Sequence, residues 1–278
     1  MEELKTKLEE YVVFCRVDKG LRKSTSEMRK RIMSKFLRES NTLQPDSTLF
    51  RKYVLDMYDR KLTRSAIHNF IVSAEAYYEF MKIPIITISR PKKDHKIVGE
   101  TLSEAEIAMI FVSCRNSREK AMLSVLAYSG IRCEELCNLK VLDIDFGKGL
   151  IKVSGKGGRD GVSFISGDCI NLLMDYLSEY PRKSQDYLFT TIRFGMRMSP
   201  TSIRRLVKKL GKRAHIKKRV YPHLFRHSLA SNMLDRGANP ITIQEQLRHR
   251  HLTTTMIYAH SRKQRVEAEY RLFSPKYI

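Results

Sequence analysis

Four separated segments carry side chains that an ordinary core does not require: GIRCEEL (130–136), IKVSGKGGRDGVSF (151–164), YPHLFRHSLASNML (221–234) and LRHRHLTTTMIYAH (247–260). In the first, Arg132 opens a predicted helix, where unpaired N–H groups and the helix dipole favour an anion. Glu135 follows three residues later on the same face, so the pair suits either a bound anion or a plain surface ion pair. In the second, Lys156 stands at the tip of a glycine-rich turn. A phosphate-binding loop for ATP is excluded there: the glycine gap is wrong, Gly157 replaces the Ser/Thr and no helix follows. A lysine on such a turn can reach a DNA groove and deliver a proton beside a phosphate, or be no more than a basic turn. In the third, Pro222 suits the first position of a helix, so His223 and Arg226 share a face and place an acid–base group beside a fixed cation. In the fourth, Thr253 or Thr254 caps a short helix carrying Tyr258, whose phenol is either a buried structural group or a reactive one. His223, His227, His249 and His251 raise the question of zinc. No H-E-x-x-H pattern or carboxylate in the same turn accompanies them, and Arg226 would repel a dication, so no metal is expected.

The elements that must hold these residues are mostly helices. Apolar residues at three- and four-residue spacing predict helices over Glu2–Val17, Ser24–Glu39, Pro45–Tyr58 and Thr63–Met81. The run from Pro84 to Glu100 has two prolines, a basic cluster and no helical period, so it reads as a linker. The expected organisation is an N-terminal helical domain over 1–83, a linker over 84–100, a second domain over 101–262 and a tail over 263–278, the tail being a candidate for docking on a neighbouring protomer. The second domain opens on a capping-box pattern, Ser103 to Glu106. A helix over Arg118–Ser129 should stop at Gly130. Gly149–Ser154 and Gly161–Ser166 alternate as a hairpin, and helices resume from Asn171. One of them, Thr201–Ala214, keeps Ile203, Leu206, Val207 and Leu210 for a core. Arg204, Arg205, Lys208, Lys209, Lys212 and Arg213 face elsewhere.

Charge narrows the partner. The 278 residues hold 52 Lys+Arg against 30 Asp+Glu, a formal +22, which self-repels unless a polyanion neutralises it. Segment 193–219 alone has eleven Lys/Arg and no acid. Five cysteines without C-x-x-C spacing argue against a disulfide framework or a four-cysteine zinc site and fit a reducing compartment. No segment offers the roughly 20 apolar residues of a membrane span. A cytoplasmic, nucleoid-associated protein with no membrane partner is expected.

The set and its order resemble the tyrosine recombinases, the integrase family that includes the Xer proteins. GIRCEEL resembles the family's G-[LI]-R-x-x-E-L, HLFRHSLAS its H-x-L-R-H-[ST]-x-A-[ST], and LRHRHLTTTMIYAH its L-G-H-x-x-x-x-T-x-x-Y. KGLRKSTSEMRKRIMSKFL and LTRSAIHNFIVSAEAYYEFM resemble its N-terminal core-binding helices. The resemblance implies a mainly α fold with a small antiparallel β-sheet, a SAM-like core-binding domain and a catalytic domain closing as a C-shaped clamp on DNA. It implies Arg132, Lys156, His223, Arg226, His249 and Tyr258 as catalytic residues, Glu135 as their support, and no cofactor. Duplex DNA carrying a specific recombination site is the implied partner, acted on by a homo-tetramer through a covalent 3′-phosphotyrosine. Lys92, Lys93, Lys96, Arg204, Arg205, Lys208, Lys209 and Arg248 are candidate DNA contacts. Two positions depart from the pattern: Phe225 replaces a leucine, and Arg248 replaces the glycine before His249, adding a bulky cation that either clashes with DNA or contacts a phosphate. Rival readings are a DNA-binding protein that has lost turnover and a type IB-like topoisomerase.

Overall fold

The computed structural model describes residues 2–84, 88–91, 100–154, 160–191 and 195–248. The chain divides into two compact units, Met1–His95 and Lys96–Ile278.

Among the described residues, the first unit has four helices: α1 (Glu2–Val17), α2 (Lys23–Glu39), α3 (Ser47–Asp59) and α4 (Arg64–Met81). Side chains cap two of them, Asp46 accepting from the Leu49 amide and Thr63 from that of Ala66, which satisfies amides a helix start leaves over. Aromatic rings fill the centre, with Phe36, Phe50, Phe70, Tyr77 and Tyr78 all buried. The buried phenols keep their hydrogen bonds: Tyr11 donates to the Ser73 carbonyl at 2.7 Å and Tyr78 to that of Asp46 at 2.9 Å. Burial pushes Tyr77 up to about 12, so these phenols are structural donors at any physiological pH.

Among its described residues, the second unit is mainly helical with one small sheet. Its elements are α5 (Glu104–Val112), α6 (Ser117–Ser124), α7 (Cys133–Asn138), β1 (Ile144–Asp145), β2 (Leu150–Ser154), β3 (Asp160–Phe164), α8 (Gly167–Glu179), α9 (Pro200–Arg213), α10 (Pro222–Asp235) and α11 (Pro240–Leu247). The Ser103/Glu106 capping box forms as read from the pattern. The helix expected over 118–129 differs. It is α-helical only to Ser124 and widens into a π-helical turn over Val125–Ser129, a form found mostly as single turns at functional sites. It does stop at Gly130, whose φ of +63° is the left-handed conformation glycine tolerates. The hairpin acquires a third strand, β1, too short to show alternation; the order is β1-β2-β3, antiparallel, with Ile151 opposite both Ile144 and Ser163.

Helix α9 buries Ile203, Val207 and Leu210 and exposes Arg204, Arg205, Lys208, Lys209 and Lys212. Arg213 departs from this pattern. It turns inward, its Nη1 and Nη2 donating to Glu119 Oε2 at 2.8 Å and Oε1 at 3.2 Å. Lys218 likewise reaches Glu106 at 2.7 Å. Acids outside a segment that has none of its own therefore neutralise two of its eleven cations. Burial opposes ionisation of Glu119, yet the Arg213 hydrogen bonds and the Arg115 amide outweigh it and lower its pKa. This carboxylate thus stabilises the fold above the unfolded carboxylate pKa and ceases to do so as pH falls through its own lower value. Arg213→Met should cost about 2 kcal/mol in urea unfolding at pH 7, with the difference from wild type shrinking below about pH 4.

Candidate active site

Arg132 is the residue before α7, its backbone still extended at φ −76°, ψ 154°. The sequence placed an anion at this helix start, and the chain supplies its own. Glu135 Oε2 accepts the Arg132 backbone N–H at 2.7 Å, and Oε1 accepts Arg132 Nη1 at 2.9 Å. The carboxylate is 9% exposed and the Arg132 side chain 48%. The acid is thus sunk in the protein and the cation faces solvent.

Arg226 lies on α10 behind Pro222, which occupies the first helical position as expected. Only 2% exposed, its guanidinium donates Nη1 to the Gly130 carbonyl at 2.6 Å and Nη2 to the Leu247 carbonyl. These bonds tie the start of the Arg132 segment to the end of α11. The turn is packed tightly, since a Cβ on Gly130 would lie 2.5 Å from Leu247 Cδ2 and 3.0 Å from Leu229 Cδ2. His223 is exposed near the start of α10, its ring meeting that of His227 edge-on at 4.7 Å between centroids. Three residues apart, His223 and Arg226 sit at different depths. Phe225, the substitute for leucine, is fully buried in the core.

Arg248 closes α11 with a left-handed backbone, φ +53°, a conformation that costs a non-glycine residue roughly 1–2 kcal/mol. Its side chain, 15% exposed, turns inward and donates Nη2 to Glu135 Oε2 at 2.7 Å. Burial lowers the Arg248 pKa; Glu135 opposes that effect and Arg132 adds to it.

Several positioning residues escaped the sequence reading. Gln246 docks on the free edge of β3 as a strand would, its Oε1 accepting the Phe164 N–H at 3.0 Å and its Nε2 donating to the Phe164 carbonyl at 2.8 Å. The buried Ser163 hydroxyl lies 2.6 Å from the Ser129 carbonyl and 3.1 Å from that of Gln246, and can donate to either. Ser163 stands at a polar position of the alternating hairpin, where the inward face carries it and leaves Val162 and Phe164 exposed, and no pattern marked Gln246. Together with Arg226 they pin the end of α11, from which the chain leads on to His249. Lys156, His249, Tyr258, Lys92, Lys93, Lys96 and the tail 263–278 lie outside the described residues. Among the described residues no group of three or more His, Cys, Asp or Glu could hold a metal ion, and no helix is long and apolar enough to cross a membrane.

A sequence model described as the phage integrase family matches residues 100–265. This chain belongs to that family, the tyrosine recombinases. It is 30% identical over 208 residues to a tyrosine recombinase of Pseudothermotoga lettingae, covering 72% of each chain. It is 26% identical over 294 residues to tyrosine recombinase XerD of Staphylococcus aureus, covering 98% of this chain and 100% of the relative. Among solved structures, XerA recombinase aligns over 98% of this chain and 99% of its own at 26% identity and a TM-score of 0.56. XerH bound to its difH substrate aligns over 91% and 80% at 20% identity and a TM-score of 0.70, a likeness of fold. The mainly helical recombinase fold with its three-stranded sheet accords with these likenesses.

The Gln246 contact gives a direct test of how α11 is held. Gln246→Leu removes the side-chain partner of the Phe164 N–H and carbonyl at a half-buried edge, and should lower stability by about 1 kcal/mol in chemical denaturation. Amide exchange at Phe164 should rise with it.

Proposed function

We propose that this recombinase acts on duplex DNA at a specific site, cleaving and rejoining strands through a covalent 3′-phosphotyrosine at Tyr258. The observation that carries the reading is the hydrogen bond from Arg226 to the Gly130 carbonyl, which joins two family motifs across 96 residues of chain. Two residues on from Gly130, the Arg132 guanidinium is half exposed, with Glu135 orienting it.

A phosphodiester resists attack because its own charge repels nucleophiles. Arg132 receives a nonbridging oxygen, and Arg226 adds a fixed positive charge for the pentacoordinate transition state. An arginine's planar fork suits a phosphoryl oxygen better than a lysine's point charge does. The Tyr258 oxygen forms a bond to phosphorus and the bond to the 5′ oxygen breaks. The phenol, with an unperturbed pKa of ~10, gives its proton to His223 or loses it in the cationic field. Lys156 protonates the departing 5′ oxygen, and His249 hydrogen-bonds a phosphoryl oxygen. Attack by a 5′-hydroxyl on the phosphotyrosine reverses these steps. The bond energy is conserved, so the proposed reaction needs no ATP, and arginines take the charge-stabilising role a metal would otherwise fill.

DNA is the partner that the formal +22 and the exposed cations of α9, Arg204, Arg205, Lys208 and Lys209, favour. Lys92, Lys93 and Lys96 extend that set. Both units are basic, so each can contact the duplex backbone. Exchange between two duplexes needs four cleavages, hence four copies of the chain, with the tail 263–278 bridging neighbours.

Mapping genomic DNA ends that stay bound through denaturation identifies the site, and a nicked substrate built on it traps the covalent complex. Tyr258→Phe should abolish that complex while retaining DNA binding; an adduct that persists removes Tyr258 as nucleophile. Arg132→Ala should slow complex formation by about 10²-fold or more, and near-normal cleavage would take Arg132 out of the reaction. Wild-type binding without any adduct would favour a DNA-binding protein that has lost turnover. Relaxed circles without deletions, inversions or integrants would favour a topoisomerase.

A further inference from the structure

Glu135 sets an electrostatic problem for the site. It orients Arg132 through two hydrogen bonds, at 2.7 Å to the backbone N–H and 2.9 Å to Nη1. It is also a largely buried carboxylate, whose charge is weakly screened. Arg132 and Glu135 alone sum to zero, so that pair adds nothing to the fixed charge Arg226 supplies to the proposed site. Arg248 brings a second positive charge to the pair. Its Nη2 meets Glu135 Oε2 at 2.7 Å, the oxygen that also accepts the Arg132 amide. The three groups then sum to +1.

The fold makes room for this arrangement. Arg248 has a left-handed backbone, φ +53°, the conformation that glycine, the residue of the family pattern, adopts at least cost. Gly161 on β3 is where its stem passes: a Cβ there would stand 2.5 Å from Arg248 Cδ and 3.3 Å from Cγ. A side chain at 161 and the inward course of Arg248 exclude each other.

We infer that Arg248 is a positioning residue for the reaction, holding Glu135 from its inner side so that Glu135 orients Arg132 without cancelling its charge toward the scissile phosphate. The inference rests on the proposed strand cleavage and deepens it. It assigns Arg248 a carboxylate partner in place of a DNA phosphate.

The test is a charge cycle, read as single-turnover formation of the covalent complex on the nicked substrate and, separately, as thermal unfolding. Arg248→Met should slow complex formation by about 10–100-fold, the range for losing a residue that orients a site group. Glu135→Gln in the same chain restores the local sum of +1 while its amide oxygen can still accept the Arg132 N–H, and should recover part of that rate. Arg248→Lys should stay near wild type in rate and confirms that the site still folds. In unfolding, the effects of Glu135→Gln and Arg248→Met should be non-additive, as for groups in contact. A double variant no faster than Arg248→Met overturns the inference, as does an Arg248→Met variant that cleaves like wild type. If Arg248→Met instead flattens the salt dependence of DNA binding by about one counterion, Arg248 is a phosphate contact and the inference fails. A wild-type chain that forms no covalent complex refutes the proposed reaction and this role with it; unfolding then still reports whether the two side chains are paired.

Discussion

One buried guanidinium holds the second unit's site together. Arg226 donates to the Gly130 and Leu247 carbonyls, two backbone acceptors at the ends of elements that share no other covalent logic. Carbonyls at such ends lack helical partners, and a donor supplied from a third helix satisfies them while fixing its own position. The tight turn at Gly130, the depth of Arg226 and the course of α11 then become one problem with one solution. A long neutral side chain in this place would leave two buried acceptors unpaired, and a lysine could not present two divergent N–H groups from a planar fork.

Around that anchor the charges fall into two populations. Arg213 and Lys218 are bound to Glu119 and Glu106, and serve the fold. Arg204, Arg205, Lys208 and Lys209 are exposed along α9 and remain available to an external polyanion. Arg132 and Arg248 stand between these groups, sharing Glu135 from opposite sides of its burial gradient, one half exposed and the other nearly covered. A single carboxylate thus grades from structural ion pair to site residue within one side chain.

The likeness to XerD spans nearly the whole chain at 26% identity, low enough for individual positions to drift while the frame stays. Phe225 and Arg248 illustrate two kinds of drift. Phe225 exchanges one apolar core residue for another and is absorbed by packing. Arg248 introduces charge where the family pattern has none, and needed both Gly161 and Glu135 to accommodate it.

Much of the local structure was legible in the amino-acid order, because its causes are local. The helices of the first unit, the capping box at Ser103, the stop at Gly130, proline at the start of α10 and the two-faced α9 all follow from spacing and from residues that start or end a helix. The motif residues and their family likeness were legible for the same reason. Long-range contacts were not. Arg226 facing carbonyls at 130 and 247, Gln246 closing the edge of β3, Arg213 leaving the cationic face of α9 and Arg248 meeting Glu135 across 113 residues leave no periodic trace. A side chain's burial and partner depend on which distant segments the core brings beside it. Tertiary packing alone therefore decided which arginines look outward and which hold the chain from within.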